Sequence, residues 1–206
     1  MTGRAYLLAG ALAALGAVAL GHGVRSHPDT AHYRDLGGPR ALWNIPNGTA
    51  LPAATPERIE IPDAGVHASV MPVGQNRDGT VQVPPLQSAE RVGWYRGGPA
   101  PGTRGAAVLL GHYDDRSGPA AFYKLHKVKP GAIVKVSRSD GRTAVFTVDA
   151  TEKAPKSNFP ATRVYGTVHY AGLRLITCTG PYNPTHHSYQ ANLIVYAHLT
   201  PPPNAG

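Results

Sequence analysis

The chain of 206 residues has one cysteine, Cys178. A lone thiol excludes an intramolecular disulfide, and the lack of a cysteine cluster argues against a structural zinc site. Acidic residues are scarce as well. Twelve Asp and Glu stand against 20 Lys and Arg, for a formal charge of +8. The basic excess does not make a nucleic-acid protein, because Lys and Arg are scattered and no basic run interleaves with aromatic residues. No nucleic-acid partner is expected. Net charge informs non-specific association rather than fold, and a basic exported protein would sit well against an anionic envelope.

Long apolar runs are missing apart from one. After Arg4 the chain continues from Ala5 to Leu20 without a charge and extends through Gly21 to His22. At about 1.5 Å per residue such a helix falls a few residues short of a ~30 Å hydrocarbon core, a shortfall that bilayer thinning accommodates. Ala17-Val18-Ala19 also resembles a signal-peptidase site,. A retained membrane anchor and a cleaved signal both place the remainder outside the cell, and retention is favoured because the site lies at the very end of the apolar run. From Gly21 to about Pro56 the chain is rich in Gly, Pro, Ala, His and Asp, with Leu36, Leu42, Trp43, Ile45 and Leu51 as isolated large apolar residues. This composition reads as a tether, with Trp43 and Ile45 able to dock on the domain that follows.

What is abundant is glycine and proline, 24 and 20 residues. Their spread favours many short strands and turns over long helices. Strands are expected at Arg58–Ile61, Ala68–Val73, Ala106–Leu110, Ala132–Val136, Thr143–Val148, Leu173–Thr177 and Leu193–Ala197, several of them rich in Val and Ile,. Turn pairs such as Asp78-Gly79 and Asp140-Gly141 separate them,. The spacing implies one all-β domain, a closed or partly closed antiparallel barrel. Helices should be brief, one from Pro119 to Leu125 and another from Pro160 to Tyr165, each opened by proline,.

Two strand ends carry chemistry. Cys178 follows Leu173-Arg174-Leu175-Ile176-Thr177 and precedes Thr179-Gly180-Pro181, so it is expected at a partly exposed rim where a strand gives way to a loop,. A thiol with an ordinary pKa of about 8.5 needs a base or a nearby cation to attack an amide at neutral pH, and histidine is the usual supplier. Among ten histidines, His112 follows the strongly apolar strand Ala107-Val108-Leu109-Leu110-Gly111 and so shares a rim position with Cys178. His22, His27 and His32 lie in the tether, His67 and His126 in expected turns, and His198 near the Pro201-Pro202-Pro203 tail, where all read as solvated surface.

Leu175-Ile176-Thr177-Cys178 resembles the Leu-x-Thr-Cys signature of sortases, and Gly111-His112-Tyr113-Asp114 resembles the catalytic histidine segment of the actinobacterial class F group. Gly93-Trp94-Tyr95, Gly98-Pro99-Ala100-Pro101-Gly102, Gly118-Pro119-Ala120-Ala121-Phe122-Tyr123 and Ser188-Tyr189-Gln190-Ala191-Asn192 are similar to that group too, in order and at familiar spacing from about Ile59 to Ala197. The resemblance implies a sortase β-barrel at the surface of a Gram-positive cell. The Cys178 thiolate would attack a Leu-Pro-x-Thr-Gly-like sorting signal of a secreted protein and His112 would protonate the departing amine. A cell-wall amine would then resolve the thioester. Residues 1–24 are the anchor or signal segment, 25–56 the extracytoplasmic tether, 57–200 the catalytic barrel and 201–206 a tail.

The family also carries an arginine on the strand after the cysteine loop, which helps to hold substrate and oxyanion. Here no Lys or Arg follows Arg174, and Gln190 occupies that position. Gln190, or His186 and His187 if protonated, are the candidate oxyanion or substrate contacts, with Arg96, Arg104, Arg116 and Arg163 as remote alternatives. Arg174 lies four strand residues from Cys178, about 13 Å along the backbone, and is too far. Asp114 is a candidate orienter of the His112 loop. Asp114 and Asp115 alone make a poor oxygen cage for calcium, so no metal or cofactor is expected. Two other functions compete. An L,D-transpeptidase would show a Ser-x-Gly-Cys-x-Arg type motif where Thr177-Cys178-Thr179 stands. A non-catalytic, sortase-like module that binds sorting-signal peptides is the alternative that the missing arginine motivates.

Overall fold

The computed structural model describes residues 50–201 together with residues 39, 40, 42 and 45. The expected anchor, most of the tether and residues 202–206 lie outside the described residues. No helix among the described residues is long and apolar enough to cross a membrane.

Alternating apolar residues set the first strands. β1 (Pro56–Ile61) buries Ile59 and Ile61, and β2 (Val66–Val73) buries Val66, Ala68 and Val70 on the same face. Between them Gly65 adopts φ 59°, a left-handed turn conformation that glycine reaches without steric cost,. β3 (Val92–Tyr95) and β4 (Gly105–Leu110) follow, then the short ribbon of β5 (Asp114–Asp115) and β6 (Gly118–Pro119). β7 (Ile133–Arg138) and β8 (Thr143–Pro155) flank the Asp140-Gly141 turn, and β9 (Ala171–Asn183) and β10 (Ser188–Leu199) form a long hairpin. The one α-helix among the described residues, α1 (Ala161–Tyr165), starts after Pro160 as expected. The turn expected at Pro119–Leu125 winds into a 3-10 helix only at Leu125–Lys127.

Eight strands close a barrel in the order β1-β2-β3-β4-β9-β10-β8-β7. Two seams, β2 with β3 and β4 with β9, run parallel, while the other six are antiparallel. Each parallel seam joins strands separated by a long connection, as a crossover requires. Ile59, Leu109, Val134, Phe146, Leu175 and Val195 fill the interior. Outside the barrel, Val108 and Leu110 of β4, Ile176 of β9 and Ile194 and Tyr196 of β10 form a second apolar layer, covered by Phe159, Val164 and Tyr170. β9 is therefore buried on both faces from Ala171 to Cys178, and such a two-faced strand reads as a continuous apolar run.

The tether reading changes at two residues. Leu42 and Ile45 are buried in the outer layer, so isolated apolar side chains find a partner there; Trp43 lies outside the described residues. His67 stands on β2, not in a turn. His198 is on β10, and its Nδ1 lies 2.6 Å from Asp149 Oδ1, at the residue where the β8 pairing shifts register. It is half-buried rather than a solvated tail residue.

The hydrogen bond with Asp149 raises the His198 pKa against a smaller opposing effect of burial. A raised folded-state value means that the pair contributes stability below the unfolded value of about 6.5 and loses it as pH climbs through the folded value. His198→Gln should therefore lower the melting temperature most near pH 5.5, and the difference from wild type should shrink above pH 6.5. Thermal melts across pH check this, and a difference independent of pH would contradict it.

Candidate active site

The parallel seam between β4 and β9 brings the two sequence-identified groups to one end of the barrel. Leu110 pairs with Ile176, and the Gly111 N–H continues the ladder by donating to Ile176 O at 3.0 Å. His112 and Cys178 each follow two residues after that last pair. Both belong to the outer face, because His112 alternates with Leu110 and Cys178 with Ile176,. Phe122 holds the histidine segment down, donating its N–H to His112 O at 2.9 Å. Gly111 is required for that contact, since a Cβ there would lie 2.6 Å from Phe122 Cδ2.

The His112 ring is buried, and its Nε2 lies 2.7 Å from Pro84 O. A carbonyl can only accept, so this bond places a proton on Nε2. Nδ1 has no partner among the described residues. It is the nitrogen left to exchange a proton with substrate or thiol.

Cys178 is not at an exposed rim. It is 5% exposed and lies inside β9, because the pairing with β10 runs past it: Cys178 opposes Asn192 and Thr179 opposes Ala191. The strand read as ending at Thr177 continues to Asn183 with a register break where Gly180 and Pro181 face the single residue Gln190. Gly180 adopts φ 83° there, as a bulge requires,. Burial pushes the Cys178 thiol up; the Lys156 ammonium, by its charge and a hydrogen bond, pulls it back, and the Asp114 carboxylate adds to the upward push.

Lys156 was not among the residues that sequence reading singled out. It follows Pro155, the last residue of β8, which pairs with Ala191 of β10. The row Cys178, Asn192 and Ala154 crosses three strands, and Lys156 opens a 3-10 helix, Lys156–Asn158, two residues after Ala154. Its Nζ donates to Ser188 Oγ at 2.6 Å, and Ser188 in turn donates to Tyr189 O at 3.2 Å. A cation in Lys153-Ala154-Pro155-Lys156 is visible in sequence, but its nearness to Cys178 depends on pairing between strands far apart in the chain. Asn192 is the second residue overlooked. It is 1% exposed, and neither Oδ1 nor Nδ2 has a hydrogen-bond partner.

Asp114 binds a tyrosine rather than the histidine. The Tyr189 hydroxyl donates to Asp114 Oδ2 at 2.5 Å and ties the loop after His112 to β10. Burial and this bond push the Tyr189 phenol up, so it stays a neutral donor. The rings of Tyr123, Tyr113, Tyr189 and Tyr182 form a chain at centroid separations of 4.8, 5.3 and 5.4 Å, the first contact tilted and the other two edge-on. Asp115 instead accepts the N–H groups of Ser117 and Gly118 in the β5–β6 turn.

Among the candidate arginine substitutes, Gln190 lies on β10 two residues before Asn192, the residue opposite Cys178. Gln190 is exposed and has no hydrogen-bond partner among the described residues. His186 and His187 are exposed at the hairpin tip beyond Asn183, which is itself five residues past Cys178, or about 16 Å of strand,. Arg163 pairs with Glu152 at 2.5 Å, and Arg104 donates to His169 O at 2.6 Å. Arg116 is exposed in the β5–β6 turn. Arg96 is also exposed and donates its N–H to Val73 O at 3.0 Å. Arg174 is fully buried, donating to Tyr170 Oη at 3.0 Å with its guanidinium 4.9 Å from the centre of the Tyr196 ring.

The architecture has many solved counterparts. Sortase C-1 from Actinomyces oris superposes with a TM-score of 0.54 at 23% identity, covering 71% of this chain and 73% of that one. A lid mutant of sortase A from Corynebacterium diphtheriae gives 0.55 at 20% identity, with 75% and 74% covered. Sortase C1 from Streptococcus suis gives 0.55 at 21%, with 73% and 75% covered. These identities establish the likeness of fold. A comparison with curated proteins finds no match. The family model described as "Sortase domain" matches residues 59–200, the whole barrel from β1 through β10. With a sortase barrel, one cysteine on β9 and a histidine just after the paired β4, the chain belongs to the sortase family of cysteine transpeptidases.

Proposed function

We propose that the protein is a surface transpeptidase of the class F type, in which Cys178 cleaves a Leu-Pro-x-Thr-Gly-like sorting signal and passes the protein bearing it to a cell-wall amine. The observation that supports this reading is the β4–β9 register, whose last pair, Leu110 with Ile176, stands two residues before His112 in one strand and two before Cys178 in the other. In the first step the Cys178 thiolate adds to the Thr carbonyl of the signal. The Thr–Gly bond then breaks, the Gly amine leaves with a proton from His112, and an acyl thioester remains on Sγ. In the second step an amine adds to the thioester carbonyl, His112 takes its proton, and the thiolate departs. Both steps place negative charge on a carbonyl oxygen and need reactants held close and in line.

The chain of tyrosine rings and the Asp114–Tyr189 bond support a site that grips an extended peptide, since aromatic rings offer apolar area with little entropy to lose. The domain works outside the cell, held at the membrane by the segment within residues 1–24 or released after cleavage there. Its partners are secreted proteins with a C-terminal sorting signal, and the chemistry calls for no cofactor. The competing reading, a module that binds such peptides without cutting them, predicts retention of peptide binding with no turnover.

Cleavage of a fluorogenic sorting-signal peptide tests the reading. Cys178→Ala and His112→Ala should each remove all but a few per cent of kcat/KM with little loss of fold, while His67→Ala and His126→Ala, on β2 and on the Leu125–Lys127 turn, should not. Binding without cleavage by the unaltered protein, or equal losses from all four substitutions, would contradict it.

A further inference from the structure

The site as described lacks the arginine that the resemblance places at Gln190, yet its thiol is buried. An ionised thiol out of water needs a compensating charge, and without one the group stays neutral and inert. Around Cys178 the charged and titratable groups come from four elements: His112 after β4, Asp114 on β5, Tyr189 on β10 and Lys156 after β8. Asp114 is anionic and opposes ionisation, and the Tyr189 phenol is neutral. Of these groups Lys156 is the permanent cation.

We propose that Lys156 takes the place of the missing arginine: it holds Cys178 as the thiolate and then stabilises the negative oxygen formed when that thiolate adds to the substrate carbonyl. This rests on the reading of Cys178 as the transpeptidase nucleophile. Geometry supports it in three ways. Ala154, two residues before Lys156, lies in the outer-face row with Cys178, about two strand spacings or ~10 Å across the sheet at the backbone, and the four-carbon stem of Lys156 extends from just past the end of that strand,. Its hydrogen bond to Ser188 Oγ, at 2.6 Å, steers the ammonium toward the β9–β10 hairpin instead of leaving it in solvent. The Pro155–Ala191 pair also fixes the start of the Lys156 segment in line with Thr179, the residue after Cys178.

Asn192 points the same way independently. It sits directly opposite Cys178 in the row leading to Ala154, and both polar atoms of its amide are buried without a partner. Buried amides are normally satisfied, and one left open beside a nucleophile is filled when a polar ligand arrives. The tetrahedral oxygen would then meet a neutral donor from β10 and a charged one from the end of β8. The family's arrangement is thereby redistributed: the cation moves one strand over, from β10 to the end of β8, and Gln190 is left exposed at the register break.

The test separates the cation's role from the transpeptidase reading. The rate of Cys178 alkylation by iodoacetamide, followed from pH 5 to 10, needs no peptide substrate. Lys156→Met keeps the length and apolar stem, and the residue is half-exposed, so the fold should hold by circular dichroism. Its alkylation profile should move to higher pH, with a loss of about tenfold at pH 7, whereas Lys156→Arg should keep the wild-type profile. Cleavage of the sorting-signal peptide by Lys156→Met should fall roughly a hundred- to a thousand-fold in kcat, as loss of an oxyanion donor does. Adding Gln190→Arg to Lys156→Met should regain at least tenfold, while Gln190→Arg alone should gain little. An unmoved alkylation profile in Lys156→Met would overturn the proposal whether or not any peptide is cut. A shifted profile in a protein that cuts no sorting signal would leave Lys156 as the thiol's cation and defeat the transpeptidase reading instead.

Discussion

The side chain of Cys178 occupies a strand that is apolar on both faces, and its burial is the constraint around which the rest of the site is organised. Burial suppresses the charged form of a thiol, and the charged form is the nucleophile. On the proposed reading, the groups that meet this conflict come to one end of β9 from segments distant in sequence: His112 from just after β4, Asn192 from β10 and Lys156 from just after β8. Asp114 works against ionisation, and its bond to the Tyr189 hydroxyl spreads that negative charge onto a donor.

Register, more than proximity in the chain, decides which residues meet. A shift of one residue in the β8–β10 pairing would turn Ala154, two residues before Lys156, from the outer face to the inner one, because successive side chains alternate,. The bulge at Asp149 and the break at Gly180-Pro181 both act on this alignment. The first switches β8 from filling the barrel with Ala144, Phe146 and Val148 to lining the outer layer with Ala150 and Ala154. That switch puts Ala154, two residues before Lys156, on the same side as the thiol. The second ends the regular pairing just beyond Cys178 and leaves Gln190 exposed.

Much of the barrel was legible in the sequence because the strands carry their own pattern. Val and Ile alternation in β1, β2, β7 and the first half of β8, and the continuous apolar runs of β4 and β9, needed no tertiary information. Val92-Gly93-Trp94-Tyr95 was not read as a strand because it is short and contains glycine. β9 and β10 ran longer than expected because Thr179, Gly180 and Pro181 read as a turn, whereas they form a bulged continuation. The two parallel seams were hidden for a further reason: direction follows from the long connections, not from the strands they join. Within the site, Cys178 and His112 stood out as chemically distinctive residues after apolar runs. Lys156 and Asn192 did not, since an ordinary lysine after a proline and an asparagine in a β-strand gain meaning only from their neighbours across the sheet.

The central claim is that a buried thiol on β9 is activated within a groove shaped for a sorting signal. A peptide carrying a Leu-Pro-x-Thr sequence and ending in a thiol-reactive group tests it most directly, with the adduct followed by intact mass and located by proteolysis. The account predicts one adduct, on Cys178, forming at neutral pH at least tenfold faster than with a scrambled peptide bearing the same reactive group. Equal rates for the two peptides, or a Cys178 that neither peptide modifies, would contradict it.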